Sequence, residues 1–105
     1  MPYFAYVIEL DKEVLKSKKF LRKNPEINPK KRCFYVGQSA HEPIIRFKQH
    51  KDGYKSNSYA RKYGLWLRPR IYNRFNPIET RKEAEIIEKW LTEILRKKGH
   101  GVWSN

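Results

Sequence analysis

Residues 32–50 have the sequence RCFYVGQSAHEPIIRFKQH, in which the pattern changes once. After Arg32, the next five residues are aromatic, β-branched or small and end at Gly37, which predicts a strand over 32–37. Ser39 and Glu42 then have the spacing of a capping box, which predicts a helix from Ser39 to His50. A strand followed at once by a helix indicates a fold that mixes the two kinds of element.

The start of this helix has an alternative. Pro43 is tolerated in the first turn of a helix but not later, so the helix would then begin nearer His41. A second, shorter helix is predicted from Ser56 to Tyr63, because Gly64 is typical of a residue that ends a helix.

Residues 3–10, YFAYVIEL, are predicted to form a buried first strand. We expect it to pair with the strand at 32–37, which leaves a basic insertion at about 12–31 between the two. The segment 12–32 has a net charge of +7. Within it, Glu13–Lys23 is predicted to include a short helix, and the following NPEINPKK is predicted to be a loop.

Residues 65–75, LWLRPRIYNRF, alternate with the period of a strand. One side of this predicted strand is apolar and comprises Leu65, Leu67, Ile71 and Phe75. The other side is basic and aromatic and comprises Trp66, Arg68, Arg70, Tyr72 and Arg74. Pro69 favours a position at the edge of the sheet.

The last helix has the clearest pattern in the chain. Thr80 and Glu83 form a second capping box, and Gly99 follows two lysines at the expected end. The apolar stripe of this helix comprises Ala84, Ile87, Leu91, Ile94 and Leu95. Val102 and Trp103, in the tail beyond it, are able to pack back on the core.

These elements follow the order β-β-α-α-β-α. The order predicts one small α/β (α+β) domain over residues 1–105, built around a three-stranded and mostly antiparallel sheet flanked by helices.

The composition of the chain limits its function. A net charge of +13 on 105 residues is typical of a protein that binds polyanions, above all nucleic acid. Charge alone leaves open a ribosomal-type structural protein and a membrane-surface protein. The single cysteine, Cys33, excludes an internal disulfide and a Cys-rich zinc site. We see no secretory signal or membrane-spanning run, so we expect an intracellular, cytoplasmic protein.

Glu88 is the acidic residue of the last helix that is best placed to face the sheet. On a helical wheel it lies beside Ala84 at the edge of the apolar stripe, whereas Glu85 and Glu93 point to solvent. A half-buried carboxylate needs a partner, which in so basic a chain is an arginine or a metal ion. The wheel leaves both partners open.

Two further pairs of residues complete the candidate site. Arg46 and His50 are four residues apart on one helix face, which suits phosphate binding and proton transfer or, equally, an ordinary solvated face. Tyr6 and Tyr35 lie in the two predicted strands, where a tyrosine directs its hydroxyl at a partner or simply fills the core.

Taken in chain order, these residues resemble the GIY-YIG nuclease domain. The resemblance is carried by Ala5-Tyr6-Val7, Tyr35-Val36-Gly37, Ser39, Arg46, His50, Glu88 and Asn105. The run from Tyr35 to His50 is its most specific part, and the match extends over nearly the whole chain.

The resemblance implies a nuclease that cuts phosphodiester bonds with one divalent metal ion, Mg²⁺ or Mn²⁺, held by Glu88. Mg²⁺ suits a single carboxylate because it keeps several water ligands and takes phosphate oxygens from substrate. The resemblance implies that Tyr6 helps to activate the attacking water, with Tyr3 as the alternative, and that Tyr35 orients water or substrate. It implies that Arg46 binds the scissile phosphate and stabilises its added charge.

The same resemblance implies supporting roles for other residues. His50 lies where some members of the family have a residue of the proton network, and Asn105 matches an asparagine that braces the site. Gly37 and Ser39 match motif positions that support it. A tyrosine acts as a base only where nearby cations lower its pKa, and Arg46 and the metal ion are suitable cations.

DNA is the expected partner, contacted through its phosphates by basic residues outside the site. The candidates are Lys30, Lys31, Arg32, Lys48, Arg61, Arg68, Arg70 and Arg74. The predicted function is a metal-dependent endonuclease that is structure-selective or weakly sequence-specific, and a homodimer is plausible for a double-strand cut. The alternative function is a nucleic-acid-binding module on the same scaffold that does not cut.

Overall fold

A computed structural model describes residues 1–105 as a four-stranded mixed sheet with helices. The strands are β1 Phe4–Leu10, β2 Cys33–Ser39, β3 Gly64–Leu67 and β4 Gly101–Ser104. Their order is β3-β1-β2-β4, with β1 antiparallel to both β2 and β3 and with β4 parallel to β2. The mixed α and β class is therefore confirmed, but the prediction of three strands was wrong.

Five α-helices surround the sheet. They are α1 Lys18–Arg22, α2 Pro43–Asp52, α3 Ser58–Tyr63, α4 Pro69–Tyr72 and α5 Arg81–Lys97. Short 3₁₀ turns lie at Lys12–Lys16 and Asn73–Phe75. None of the helices is both long enough and apolar enough to cross a bilayer.

The predicted strand at 65–75 is the largest error. β3 ends at Leu67 and α4 begins at Pro69, because proline lacks an N–H for the sheet and its fixed φ suits the first turn of a helix. The alternating pattern placed Leu65 on the apolar side of the strand and Tyr72 on the other side. In the structure Tyr72 is 2% exposed, whereas Leu65 is 39% exposed.

The helix after β2 begins at Pro43 and not at Ser39, so the predicted capping box is wrong and the later start was the better choice. Ser39 Oγ instead accepts a hydrogen bond from the His41 N–H at 2.9 Å within the preceding turn. α3 begins at Ser58 and is capped by the side chain of Asn57.

The last helix agrees better with prediction, but the strand after it was missed. Thr80 Oγ1 accepts from the Glu83 N–H at 3.1 Å at the start of α5, and Gly99 follows the helix with a positive φ of 94°. β4 was missed as a strand. It lies against β2, and at Gly101 a side chain would overlap the rings and methyl groups of Phe20 and Ile27.

The basic insertion contributes apolar side chains to the core. Val14 and Phe20, from its first half, are fully buried within one cluster of 18 apolar residues that includes the central strands. Phe20 packs against Tyr59 and Trp103, so the insertion holds α3 and β4 together.

Candidate active site

The register of β1 and β2 brings two tyrosines together on one face of the sheet. Tyr6 pairs with Gly37 and Ile8 pairs with Tyr35, so the phenols are diagonal neighbours with ring centroids 6.2 Å apart. A β-carbon at Gly37 would overlap the hydroxyl and ring of Tyr6. Gly37 is thus required for the position of the Tyr6 hydroxyl.

His50 links these strands to α2. Its ring is fully buried, lies edge-on to Tyr35 at 5.3 Å, and places Nε2 2.8 Å from the Tyr6 hydroxyl. Its Nδ1 accepts the main-chain N–H of Asn57 at 3.1 Å. Burial and the charge of Arg46 lower the pKa of His50 to about 4, so the imidazole is neutral at neutral pH.

Asn105 reaches the second phenol from the residue after β4. Its Nδ2 donates to the Tyr35 hydroxyl at 2.8 Å, and its Oδ1 accepts from Asn57 Nδ2 at 3.1 Å. The parallel pairing of β4 with β2 explains this placement, because it carries the chain end along the strand that bears Tyr35.

Arg46 lies one helical turn before His50, and part of its guanidinium is held by the protein. Nη1 donates to Gln49 Oε1 at 3.1 Å and to the Tyr54 carbonyl at 3.3 Å, and Nη2 donates to the Lys55 carbonyl at 2.7 Å. The Nε–H and one of the two Nη2–H groups have no acceptor in the protein. A guanidinium edge formed by these two groups can bind two phosphate oxygens at once.

Both phenols are protonated at neutral pH. Burial raises the pKa of Tyr35 to about 12 and raises that of Tyr6 above its ordinary value. The positive charge of Arg46 lowers both pKa values but is outweighed by burial. Arg46 alone is therefore not the cation that would make either tyrosine a base.

Glu88 is half-buried on α5. Its main-chain oxygen accepts from Thr92 Oγ1 at 2.9 Å, but its carboxylate has neither a hydrogen bond nor an ion pair. Burial, with a smaller contribution from Glu85, raises the pKa of this carboxyl to about 7. The arginine partner that the wheel left open is therefore not present.

The cleft beside Glu88 is connected to the buried phenols through Asn105. A cleft of about 480 Å³ is lined by Glu88 and other residues of α5 together with Ser104 and Asn105. Arg96 also lines this cleft, but its guanidinium donates to Asn24 Oδ1 and to the Val102 carbonyl. Asn105 thus connects the wall that carries Glu88 to the hydroxyl of Tyr35.

A second buried carboxylate, Glu9, was missed by the sequence analysis. It is 6% exposed and accepts from Arg68 at 2.6 Å, from Arg32 at 3.0 Å and from Trp66 Nε1 at 3.2 Å. It points to the opposite face of β1 from Tyr6, since the two are an odd number of residues apart. The available signal was an acidic residue inside an otherwise apolar strand.

The nucleic-acid candidates are therefore not equivalent. Arg32 and Arg68 are ion-paired with Glu9, and the ammonium of Lys48 lies 2.8 Å from Asp52. The others are exposed and make no ion pair: Lys30, Lys31, Arg61, Arg70 and Arg74.

Two further predictions about the site have structural outcomes. Tyr6 contacts His50, whereas the main chain of Tyr3 pairs with Ile78, so the hydrogen-bonded group includes Tyr6 and not Tyr3. The Ser39 hydroxyl accepts from the turn that precedes α2 and makes no bond to the phenols.

Comparisons of this chain with protein-family models, curated proteins and solved structures find no match. No group of three or more His, Cys, Asp or Glu side chains is placed to hold a metal ion. A metal at Glu88 would therefore take most of its ligands from water and from substrate, as Mg²⁺ does in phosphate-binding sites.

Proposed function

We propose that this chain is a metal-dependent endonuclease of the GIY-YIG type that hydrolyses phosphodiester bonds in DNA. The observation that carries the proposal is the unpartnered carboxylate of Glu88. In a chain of net charge +13, a half-buried carboxylate with no cation beside it is chemically incomplete. A divalent cation supplies the missing charge.

Glu88 is the proposed metal ligand, and Mg²⁺ or Mn²⁺ is the proposed ion. The hard carboxylate oxygens suit either ion, and the cleft beside Glu88 is open to water and to a phosphate group. When bound, the ion supplies positive charge beside the scissile phosphate.

Arg46 is the proposed phosphate ligand. Its fixed guanidinium edge offers two N–H groups to two phosphate oxygens, where negative charge increases during cleavage. The bonds to the Tyr54 and Lys55 carbonyls hold this edge in place before substrate arrives, which reduces the cost of ordering it.

The phenols of Tyr6 and Tyr35 are proposed to orient the attacking water and a phosphate oxygen. Both are neutral, and both receive a hydrogen bond from a neighbour. Tyr6 directs its own O–H toward Tyr35, and Tyr35 retains its O–H for donation. In the hydrolysis itself the water oxygen bonds to phosphorus and the water gives up one proton, while the P–O ester bond breaks and the leaving oxygen takes up one proton.

Plasmid nicking tests the proposal directly. We expect wild-type protein to nick supercoiled DNA with Mg²⁺ or Mn²⁺ and to lose the activity in EDTA. Glu88→Gln should reduce the nicking rate about 100- to 1000-fold, because it replaces the charged metal ligand with a neutral amide. Glu93→Gln is the matched control, since Glu93 is an exposed glutamate that lines the same cleft, and it should nick like wild type.

The alternative, a binding module that does not cut, makes a different prediction. Both functions predict DNA binding that weakens steeply with salt, because both depend on phosphate contacts. If wild-type protein and Glu88→Gln bind DNA equally and neither nicks it with either metal, the endonuclease proposal is wrong and the module is favoured.

A further inference from the structure

Asn57 makes hydrogen bonds to two residues of the candidate site and also caps α3. It lies just before α3, where its Oδ1 accepts the main-chain N–H groups of Tyr59 and Ala60 at 2.8 and 3.2 Å. Its main-chain N–H donates to His50 Nδ1, and its Nδ2 donates to Asn105 Oδ1, both at 3.1 Å. No motif drew attention to this residue.

The main-chain bond of Asn57 decides which nitrogen of His50 carries the proton. A main-chain N–H can only donate, so Nδ1 must accept and is unprotonated. A neutral imidazole then carries its proton on Nε2, which lies 2.8 Å from the Tyr6 hydroxyl oxygen. His50 is therefore the donor to Tyr6, and the phenol keeps its own proton for another acceptor.

The side chain of Asn57 decides the orientation of Asn105 by the same reasoning. Because Oδ1 of Asn57 accepts two main-chain N–H groups, its Nδ2 faces Asn105 and requires an oxygen there. The amide nitrogen of Asn105 is then the atom that faces Tyr35, 2.8 Å from its hydroxyl oxygen. Tyr35 likewise receives a hydrogen bond and keeps its own proton.

We infer that Asn57 is a positioning residue that sets the hydrogen-bond directions of both buried phenols: Tyr6 directs its O–H toward Tyr35, and Tyr35 is left as the donor to an oxygen ligand in the site. Its main chain acts through His50 and its side chain acts through Asn105. A donated O–H group suits water or an anionic phosphate oxygen. The consequence for catalysis rests on the proposed function, whereas the proton position on His50 does not.

Two variants of Asn57 separate the main-chain bond from the side-chain bonds. Asn57→Ala removes the helix cap and the amide but keeps the N–H. Asn57→Pro removes the same groups and the N–H as well, and the φ of −79° at this position is compatible with proline. The two variants therefore differ chiefly in the bond to His50.

Nitrogen-15 NMR of the His50 ring at pH 7 tests the inference without any assay of activity. We expect Nε2 to be protonated in wild type and in Asn57→Ala, and this preference to be lost in Asn57→Pro. Protonation at Nδ1 in wild type would overturn the inference even if the proline variant does not fold. An unchanged Nε2 preference in a folded Asn57→Pro would overturn the role of the main-chain N–H.

Nicking rates then test the catalytic consequence. We expect Asn57→Pro to lower kcat about 10- to 100-fold below Asn57→Ala, with KM unchanged, because only the proline variant loses the hydrogen-bond direction at Tyr6 while Arg46 is unaffected. Equal kcat in the two folded variants would overturn the positioning role. If wild type does not nick at all, the proposed function fails while the NMR result still stands.

Discussion

Glu9 and Glu88 are two glutamates withdrawn from water, and their surroundings are opposite. Glu9 is contacted by two arginines and a tryptophan N–H, whereas the carboxylate of Glu88 is contacted by none. Burial raises the pKa of Glu9, but the bonds to Arg68 and Arg32 outweigh it and the net pKa is low. Burial is not offset at Glu88, where the pKa rises to about 7.

The comparison separates a structural carboxylate from a candidate functional one. The carboxylate of Glu9 has all of its hydrogen-bond partners within the chain. Its two arginines therefore stabilise the fold and are poor candidates for substrate contacts. Glu88 and the free edge of Arg46 both have bonding capacity that the chain does not use. Unused capacity in a partly buried position is what a ligand site requires.

The largest effect on folding is expected at Glu9. Glu9→Gln leaves Arg32 and Arg68 without their carboxylate, and should reduce the free energy of unfolding by about 2–3 kcal/mol. This figure allows for the partial exposure of both arginines. Urea denaturation at pH 7 measures it. A change below about 0.5 kcal/mol is the range of ordinary surface substitutions. Such a result would contradict the structural role of Glu9 and with it the difference from Glu88.

Substitution by lysine should affect different properties at Arg46 and at Arg68. Arg46→Lys loses the two-donor edge, so we expect nicking to fall roughly 100-fold with DNA binding largely retained. Arg68→Lys should lower stability by about 1 kcal/mol and leave the nicking rate near that of wild type. Nicking rates and urea midpoints of both variants check this. Equal nicking by the two would place Arg46 outside the site.

Replacement of Glu88 is expected to change the free energy of unfolding by a smaller amount than replacement of Glu9, and in the opposite direction. The folded pKa of about 7 lies above the ordinary value of 4.5, so folding favours the protonated form. Stability is therefore unaffected below about pH 4.5 and decreases as the pH rises through 7.

Glu88→Gln removes this penalty. It should be more stable than wild type by about 1 kcal/mol at pH 8, a value reduced for the partial exposure of the side chain, and equal to it at pH 4.5. Urea denaturation at the two pH values measures the difference. A variant that is less stable than wild type at pH 8 would show that Glu88 is stabilised by a partner after all.

The fold was predicted well where the signal is local. β1, β2 and α5 follow from runs of apolar residues and from the Thr80 cap, all within a few residues of one another. β4 has four residues, and its strand character depends on pairing with β2, which no local pattern reveals. The alternation at 65–75 fits a strand, but Pro69 changes the chain direction into α4.

The sequence predicted the site residues that act through their side chains. It did not predict the one that acts through its main chain. Tyr6, Tyr35 and His50 lie together, and Asn105 reaches them through a strand that was not foreseen. Asn57 acts partly through its N–H, a group that every residue except proline has. Similarly, Glu9 pairs with arginines 23 and 59 residues away, which the sequence does not connect.

Paramagnetic broadening by Mn²⁺ tests the metal claim most directly. Amide signals of ¹⁵N-labelled protein at pH 8 would be followed during a Mn²⁺ titration. We expect the strongest broadening at Glu88 and Asn105, weaker broadening at Glu9, and the loss of the effect in Glu88→Gln. Broadening that is centred elsewhere, or that persists unchanged in Glu88→Gln, would contradict the assignment of Glu88 as the metal ligand.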